Sequence, residues 1–433
     1  MRLRASALLA LSSVTFASAS LLAATRPHYG GTLHVQLTTA LPDPAKSPLV
    51  AETLFRMDQR GVIQPLLART WSSDSARKRW RFAIRSKVVF HDGTPLDAAA
   101  VAASLEPRLK QLYPDLTFAA NGQSLIVQCA RPIPDLLDDL SRPEFAVSRS
   151  GAGTGPFRVS KWEPPHHGVL TANDDYWHGR PFLDSVEFTV GPLRPNSSAE
   201  FQELPVTLSR RAIPEGLRVW KSSSASLLAL YLAATQQQPL HDALSLSIDR
   251  ASIVNVLLQR RGESATGLLP QWLTGYEFVF PQAHDAARAR EIAAPLKLPA
   301  LSLSTPPGDA LARAVADRIV VNARDAGIVI QFASQSSNAN LQLLHLALSS
   351  TNAALDLRDW ASQTGLADRI RDKSLNAPDG LYDAERALLD DSRIIPLVHV
   401  PQVFGIHPRV QNWDEEANAI DPLANLVNVW LKP

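Results

Sequence analysis

Alternating apolar positions predict strands near the start of the chain. After Gly30 and Gly31, residues Leu33, Val35 and Leu37 alternate with polar side chains, which is typical of a half-buried strand. We therefore expect a sheet to begin there.

A second alternating stretch covers residues 79–91. Its apolar positions predict two short strands joined near Ser86 and Lys87, and the sequence Asp92-Gly93-Thr94-Pro95 predicts a turn after them. We therefore expect a hairpin over this stretch.

Apolar residues at spacings of three and four predict several helices. Residues 97–109 are rich in alanine and follow Asp97, a suitable N-cap, while Pro107 predicts an early end. Residues 241–260 predict either one helix or a broken pair. The same spacing predicts helices over 285–296, 310–326 and 382–392.

Further strands follow these helices and a glycine-rich loop. Gly151–Pro156 predicts a crossing loop that leads into a strand. Residues 328–332 predict a strand after a helix, and residues 394–404 predict an edge strand because Pro396 and Pro401 interrupt them. The pattern as a whole favours a mixed α/β protein.

Composition narrows the class of protein and of partner. The chain has 433 residues, 45% apolar and 20% charged, which is typical of a folded soluble protein of about three domain-sized units. Its 43 basic and 42 acidic residues nearly cancel, so nothing favours a nucleic acid as partner. Cys129 is the only cysteine, which excludes an intramolecular disulfide and a cysteine-based zinc site.

The first 24 residues predict export. Arg2 and Arg4 precede an uncharged stretch of small and apolar residues, and Ala17-Ser18-Ala19 offers a small-x-small cleavage pattern. Residues 1–24 are therefore interpreted as a signal peptide, with an uncleaved N-terminal membrane anchor as the alternative. We expect the body of the protein to lie outside the cytoplasm, in the periplasm.

The sequence offers no motif of enzyme chemistry. The glycines at 151, 153 and 155 precede a proline and a strand, which does not suit a phosphate-binding loop, and no G-x-S-x-G motif of an esterase is present. His166 and His167 follow two prolines and have no sequence-local candidates for further metal ligands. We therefore expect no enzyme activity, cofactor or metal.

Two long blocks carry a family resemblance. Residues 52–105 contain Gly61-Val62-Ile63-Gln64-Pro65 and Phe90-His91-Asp92-Gly93-Thr94-Pro95, and residues 153–188 contain Tyr176-Trp177 and Gly179-x-Pro181. Both blocks resemble the family 5 extracellular solute-binding proteins, the oligopeptide-, dipeptide- and nickel-binding components of ABC importers. Weaker similarity continues to the C-terminus.

The resemblance implies a two-lobed periplasmic-binding-protein fold of type II, with an extra inserted domain and hinge-linked lobes around a central cleft. Lobe I would comprise residues 29–52, 149–235 and 400–433. The small inserted domain would cover residues 53–148, and lobe II would cover residues 236–399. Tyr176 and Trp177 would have a packing role.

The chain departs from the peptide-binding members at the ligand anchor. Where the resemblance implies a tryptophan and an aspartate that holds the peptide's ammonium group, this sequence has neutral residues near Ser350, Thr351 and Asn352. Asp356 or Asp359 could substitute from a shifted register, although a helix cap is the alternative interpretation of these residues. An ordinary grip on a zwitterionic peptide is therefore not expected.

The candidate ligand-binding residues are polar and aromatic side chains expected near the cleft. Thr38 and Thr39 follow the first strand, and aromatic rings of the second lobe could stack on a ligand, although each could instead belong to the core. The full set is Thr38, Thr39, Trp272, Tyr276, Ser350, Thr351, Asn352 and Trp360.

The function expected from the resemblance is capture of a peptide or related small polar solute for an ABC permease in the inner membrane, by a monomer without catalytic groups. One alternative is a degenerate scaffold of the same family that acts through protein–protein contacts, motivated by the missing charged anchor. A hydrolase is the remaining alternative, disfavoured because no nucleophile and base are visible in the sequence.

Overall fold

The structure is a computed structural model that describes residues 26–433 except 39, 59, 195–196, 234–237, 281–283, 334–338, 376 and 417–419. The predicted signal peptide therefore lies outside the described residues. None of the described helices is long and apolar enough to span a membrane.

The strands and helices alternate along the chain. The strands are β1 Thr32–Leu37, β2 Phe55–Met57, β3 Ile63–Pro65, β4 Ala68–Ser73, β5 Arg79–Ile84, β6 Thr117–Asn121, β7 Ser124–Gln128, β8 Phe157–Glu163, β9 His167–Ala172, β10 Ser185–Val190, β11 Phe201–Glu203, β12 Arg218–Leu232, β13 Glu263–Ser264, β14 Leu301–Ser304, β15 Ile330–Phe332, β16 Leu341–Ala347, β17 Ile394–Ile406, β18 Val410–Gln411 and β19 Trp430–Leu431. The helices are α1 Ala98–Leu112, α2 Leu136–Asp139, α3 Gln238–Ser247, α4 Arg250–Ser252, α5 Gln271–Thr274, α6 Ala286–Ala293, α7 Ala310–Asp325, α8 Ala353–Gln363, α9 Ala367–Ile370 and α10 Pro378–Leu389.

Strands from both predicted lobes join one sheet. Within the described residues it has eleven strands in the order β15-β14-β16-β12-β17-β11-β1-β10-β9-β8, with β13 beside β17. The long strands β12 and β17 pair antiparallel and run through both halves. On one side, β16 pairs with the C-terminal half of β12, and β14 and β15 come next in the sheet. On the other side, β11 pairs with the C-terminal half of β17, and β1 and β10 come next.

Strand β17 is central and almost wholly buried, so the prediction of an edge strand over residues 394–404 was wrong. It pairs with β12 on one side and with β11 and β13 on the other. The prolines are accommodated because Pro396 and Pro401 lie beside shifts in the register with β12.

The predicted hairpin over residues 79–91 is a single strand followed by a turn. Both edges of β5 are occupied, by β4 and by β7, so no room remains for a partner from residues 88–91. Val89 instead forms an isolated bridge with Pro95 across the turn that the sequence predicts.

Helix α1 begins where the sequence predicts and ends later. Asp97 accepts a hydrogen bond from the Ala100 N–H at 2.8 Å, which confirms it as the N-cap. The helix continues through Pro107 to Leu112, and Leu105 and Leu109 on either side of the proline are buried in the core. Packing of these leucines therefore outweighs the helix-breaking preference of proline.

The region 241–260 is a broken pair of helices. Helix α3 ends at Ser247, and Asp249 caps α4 by accepting from the Ser252 N–H at 2.8 Å. Helix α7 is followed by Gly327 at φ +80°, a left-handed conformation that favours glycine.

Buried apolar side chains form separate clusters within the described residues. One cluster joins the helix and strands of residues 54–147, another joins β1, β10 and β11 with β17 and the C-terminal segment, and two further clusters cover the two faces of the sheet of lobe II. The domain boundaries given above stay a prediction.

Candidate functional site

The carboxyl ends of parallel strands from both halves of the sheet point towards the same plane. Strands β1, β10 and β11 are mutually parallel and end at Leu37, Val190 and Glu203. Strands β14, β15 and β16 are also parallel to one another, and β16 runs antiparallel to β12 towards the crossover. Ligands of open α/β sheets bind outside the carboxyl ends of strands, so this plane is the candidate cleft.

Thr38 lies on the lobe I side of the cleft. Its N–H and its hydroxyl both donate to Oε2 of Glu203, at 2.7 and 3.0 Å, which ties the end of β1 to the end of β11. Thr39, the neighbouring candidate, lies outside the described residues. A carboxylate that sequence reasoning missed therefore lies on this wall.

The lobe II side carries a chain of hydrogen bonds between Ser226, His345 and Asp309. The Ser226 hydroxyl lies 2.9 Å from Nε2 of His345, and Nδ1 of that ring lies 2.6 Å from Oδ2 of Asp309. The second carboxylate oxygen of Asp309 accepts from the Ala312 N–H at 2.8 Å and caps α7. Strand β16, which carries His345, and helix α7, which Asp309 caps, therefore hold these hydrogen-bonded side chains in place.

The carboxylate of Asp309 fixes the orientation of the His345 imidazole. Burial alone would raise the pKa of Asp309, but the hydrogen bonds from His345 and from the N-terminus of α7 outweigh it and hold the pKa below its usual range. The ionised carboxylate accepts the Nδ1–H, so Nε2 is the ring nitrogen that faces the Ser226 hydroxyl. His345 is exposed although Leu343 and Leu346 beside it are buried.

Trp272 lies against the crossover. Its indole N–H donates to the Ser224 carbonyl at 2.9 Å, and Ser224 is flanked on β12 by two register shifts relative to β17. The predicted aromatic residue therefore contacts the part of the molecule where the two halves of the sheet meet.

Thr351 and Asn352 contact the inserted domain. The Thr351 hydroxyl donates to the Asp58 carbonyl at 2.9 Å, and the Asn352 side chain bonds with the carboxylate of Asp138. Asn352 also caps α8 by accepting from the Ala354 N–H at 3.0 Å. In this arrangement both predicted ligand contacts are engaged by protein groups.

Ser350 stabilises the same turn. Its hydroxyl donates to the Asn352 carbonyl at 3.3 Å and accepts from the Asn352 N–H at 3.0 Å. Asp356 is buried behind this turn, where the Ser349 N–H and hydroxyl donate to Oδ1. Burial raises the pKa of Asp356 to about 7 in spite of these bonds.

Two ion pairs continue the contact between α8 and the inserted domain. Asp359 pairs with Arg142 at 2.8 Å, and Arg358 pairs with Asp135 at 2.7 Å. Neither Asp356 nor Asp359 therefore offers a free carboxylate in the way the shifted register would require.

Trp360 and Tyr276 lie within lobe II. Trp360 is 2% exposed and donates to the Ala347 carbonyl at 3.3 Å, so its ring is packed in the core and closed to a ligand. The Tyr276 hydroxyl donates to the buried carboxyl of Glu385 at 2.8 Å. The alternative interpretation as core therefore describes the placement of Trp360, whereas Tyr276 is half-buried.

Tyr176 and Trp177 do more than pack. Both donate to Glu52, at 2.8 and 2.9 Å, and the Thr154 hydroxyl donates to it at 2.9 Å. Burial raises the pKa of Glu52 to about 7 although these bonds and Arg85 oppose the rise. The two aromatic residues therefore hold the segment of lobe I that leads into the inserted domain.

Sequence reasoning missed most of the polar wall. Asp309 precedes a predicted helix and could have been found as its N-cap. His345 stands alone among apolar residues of a strand, and no local pattern connects it with Asp309 or Ser226. Within the described ranges no group of three or more histidine, cysteine or acidic side chains is arranged to hold a metal ion.

Comparisons with known proteins agree on one family. The model of the bacterial extracellular solute-binding proteins, family 5, matches residues 62–372. The probable D,D-dipeptide-binding periplasmic protein DdpA of Escherichia coli K12 is 25% identical over 267 residues, which are 52% of this chain and 51% of DdpA. The chain spans about half the length of the first curated relatives that it matches.

Solved structures of similar fold cover almost the whole chain. DppA of Helicobacter pylori in complex with the peptide STSA superposes with a TM-score of 0.78 at 16% identity, over 94% of this chain and 99% of DppA. NikA of Staphylococcus aureus in complex with Ni(L-His)2 superposes with a TM-score of 0.77 at 17% identity, over 93% of this chain and 100% of NikA.

Proposed function

We propose, from the premise that this chain belongs to the bacterial extracellular solute-binding proteins of family 5, that it captures a peptide or related small polar solute in the cleft between its lobes. Its fold is that of the two-lobed type II periplasmic binding proteins, as the sequence resemblance implied. Members of this family are binding proteins and not enzymes.

The observation that supports capture in the cleft is the convergence of strand ends. Two sets of parallel strands, one from each lobe, direct their carboxyl ends to the crossover of β12 and β17. Each wall there carries polar side chains held by their own hydrogen bonds, Thr38 with Glu203 and His345 with Asp309. Rigid polar groups on two lobes can close on a solute with little loss of conformational entropy.

The chemistry of the walls favours a solute with hydrogen-bond donors. Glu203 and Asp309 are carboxylates, whose oxygens accept hydrogen bonds. Relatives are named for binding a D,D-dipeptide or glutathione, and H. pylori DppA was solved with a peptide. A small peptide or a similar polar compound therefore suits this site.

The proposed partner is an ABC permease in the inner membrane. A binding protein of this family delivers solute from outside the cytoplasm, which agrees with the export signal predicted in residues 1–24 and with the periplasmic description of DdpA. Closure on the solute would distinguish loaded from empty protein for the permease, because a ligand shifts a conformational equilibrium only through differential affinity.

Native mass spectrometry of protein purified from its own host tests the proposal. We expect a defined small mass bound to the protein, and this compound at 100 times its dissociation constant should stabilise the fold by about 2.7 kcal/mol. A broad peptide, sugar and metal-chelate panel that leaves the melting temperature unchanged would contradict capture of a small solute.

Variants of the lobe II wall locate the bound compound. His345→Gln should weaken binding by roughly tenfold or more, because the imidazole held between Asp309 and Ser226 is lost. His166→Gln, in an exposed loop, is the matched control and should bind like the wild type. Isothermal titration with the compound recovered from the host measures both variants.

A scaffold acting through protein contacts is the second candidate. The observation that favours it is that Thr351 and Asn352, at the position of the family's anchor, already contact the inserted domain. A stable protein partner in the native mass spectrum, with no small mass bound, would support the scaffold.

The order of Ser226, His345 and Asp309 matches that of the catalytic groups in serine hydrolases. In a family of binding proteins, we interpret it as a polar recognition element. Turnover of compounds in a peptide or ester panel that is abolished in Ser226→Ala would support the alternative function as a hydrolase.

A further inference from the structure

A cavity lies within lobe II, away from the strand ends. It has a volume of about 580 Å³ and is bounded by α3, the segment 265–280, α10 and the start of β17. Pro396 in its wall is five residues before Pro401 at the crossover, which is about 17 Å along an extended strand. The cavity is therefore separate from the proposed solute cleft.

Arg250 is a buried charge in the wall of this cavity. Its side chain donates to the Pro396 carbonyl at 2.8 Å, to the Ser245 carbonyl at 3.0 Å and to the Ser245 hydroxyl at 3.3 Å. All of these acceptors are neutral. In the part of the chain that the structure describes, no carboxylate forms an ion pair with Arg250, which is 5% exposed.

This charge cannot be removed by proton loss at neutral pH. Burial lowers the pKa of Arg250 to about 10, which still leaves the guanidinium protonated. The buried carboxyls Glu52 and Glu385 have pKa values raised to about 7. They can avoid most of the free-energy cost of a buried charge by holding a proton. Buried charges are normally paired, so an unpaired guanidinium beside a void indicates a place for an anion.

Arg108 shows how the chain treats an arginine that only supports structure. It also lacks a carboxylate, but its two terminal nitrogens donate to the carbonyls of Ser104, Glu144 and Ala146 and to the Ser104 hydroxyl. It does not line this cavity. Arg250 has fewer and longer bonds and borders open volume.

The remaining walls indicate which anion suits the cavity. Phe280 and Tyr382 stack with ring centroids 5.4 Å apart and form an aromatic wall. Arg386 adds a guanidinium to the wall and lies 3.6 Å from Asp390, and His241 adds an imidazole that lies 3.2 Å from Asp242. Because Arg386 has an acidic neighbour, Arg250 is the permanent positive charge left for a ligand.

We propose that this cavity is a second binding site, which takes a small carboxylate with an aromatic or other apolar body. The carboxylate accepts hydrogen bonds from Arg250, and the apolar body lies against Phe280 and Tyr382. The site is independent of the solute cleft and does not rest on the proposed function.

Phenylacetate and its neutral isostere phenylacetamide test the site on the full chain. We expect titration calorimetry to show millimolar or tighter binding of phenylacetate and binding roughly tenfold or more weaker for the amide, because only the acid forms a charge-assisted bond. Arg250→Gln should remove this preference. Equal affinity for acid and amide, or no binding of either, would overturn the proposal.

A blocking variant keeps the test decisive if Arg250→Gln does not fold. Val279 lines the cavity and is 50% exposed, so Val279→Trp should fold and obstruct the opening. We expect it to abolish phenylacetate binding while the melting-temperature response to the cleft solute is retained. Unchanged phenylacetate binding in Val279→Trp would place the probe elsewhere and overturn the proposal.

Discussion

At the scale of single residues, buried carboxyls set how the fold responds to pH. Glu385 accepts hydrogen bonds from the Leu268 and Leu269 N–H groups and from the Tyr276 hydroxyl. Its neighbour Glu277 lies 3.1 Å from Nε2 of the buried His399. Together they hold the segment directly before Trp272, because their oxygens accept from N–H groups of residues 266–271.

Glu385 should make the protein less stable as the pH rises. Burial raises its pKa from 4.5 to about 7, so the folded chain keeps a proton that the unfolded chain has lost between these values. The free energy of unfolding should therefore fall by about 3 kcal/mol between pH 4.5 and 7 on account of this group. Glu385→Gln should remove that part of the slope in denaturant titrations across this range.

The control for this prediction is an exposed glutamate. Glu291 is 65% exposed and pairs only with Arg288 on the same helix, so Glu291→Gln should leave the slope unchanged. Glu52 contributes the same pH dependence of stability to the wild type and to both variants, so its contribution cancels when they are compared. A wild-type slope in Glu385→Gln would contradict the assignment.

At the scale of elements, close backbone contact fixes the crossing loop before β8. Gly155 N–H donates to the Val50 carbonyl and Phe157 N–H to the Leu49 carbonyl, each at 2.9 Å. The carbonyl of Gly153 accepts from the His91 N–H at 2.8 Å, so the loop also holds the inserted domain. The glycines that the sequence marked as a crossing loop therefore serve as a joint between three segments.

Gly153→Ala should destabilise the protein through overpacking. A Cβ atom at this position would lie 1.9 Å from the Val50 carbonyl oxygen, so the backbone must shift. We expect a loss of about 1–3 kcal/mol in the free energy of unfolding by urea titration. Gly191→Ala, where nothing lies within 4 Å of the added atom, should change stability by less than about 0.5 kcal/mol. Equal effects of the two substitutions would show that the contact is not restrictive.

Local sequence patterns predicted the helices and strands themselves better than they predicted which elements pack against each other. Asp97 and Gly327 mark helix ends through bonds and dihedral angles of their own neighbourhood, and both predictions were confirmed. Strand β17 was misjudged because its burial depends on β11, β12 and β13, which are distant in sequence. Pro107 was misjudged for the same reason, since core packing on both sides of it overrides the local preference.

The candidate site shows the same limit. Thr38 could be predicted because it follows the first strand, and it does contact Glu203 at the strand ends. The use of Thr351 and Asn352 by the inserted domain could not be predicted, since their partners Asp58 and Asp138 are more than two hundred residues away in the chain. Site chemistry of this kind depends on tertiary pairing that no local motif encodes.

At the scale of the whole molecule, the inserted domain and lobe II are held together by polar contacts at α8. Two ion pairs, Arg142 with Asp359 and Arg358 with Asp135, accompany the hydrogen bond from Thr351 to Asp58. Both pairs are half-buried at the surface of the protein, where an ion pair contributes on the order of 1 kcal/mol and weakens as salt rises. Contacts of this size can bias an equilibrium between closed and open lobes without locking it.

Reversing the charge of one partner in an ion pair should open the empty protein. Reversing the charges of both partners should restore closure. Arg358→Asp places like charges together, so we expect a larger radius of gyration by small-angle X-ray scattering and a shift in the open-to-closed ratio on the order of tenfold. Adding Asp135→Arg restores an opposite-charge pair and should return the wild-type radius. The wild type should also expand as salt is raised, because screening weakens both pairs. Reversing Arg288, which pairs with Glu291 within α6, is the control and should leave the radius unchanged. A radius indifferent to the α8 substitutions and to salt would show that apolar packing, and not these charges, keeps the lobes together.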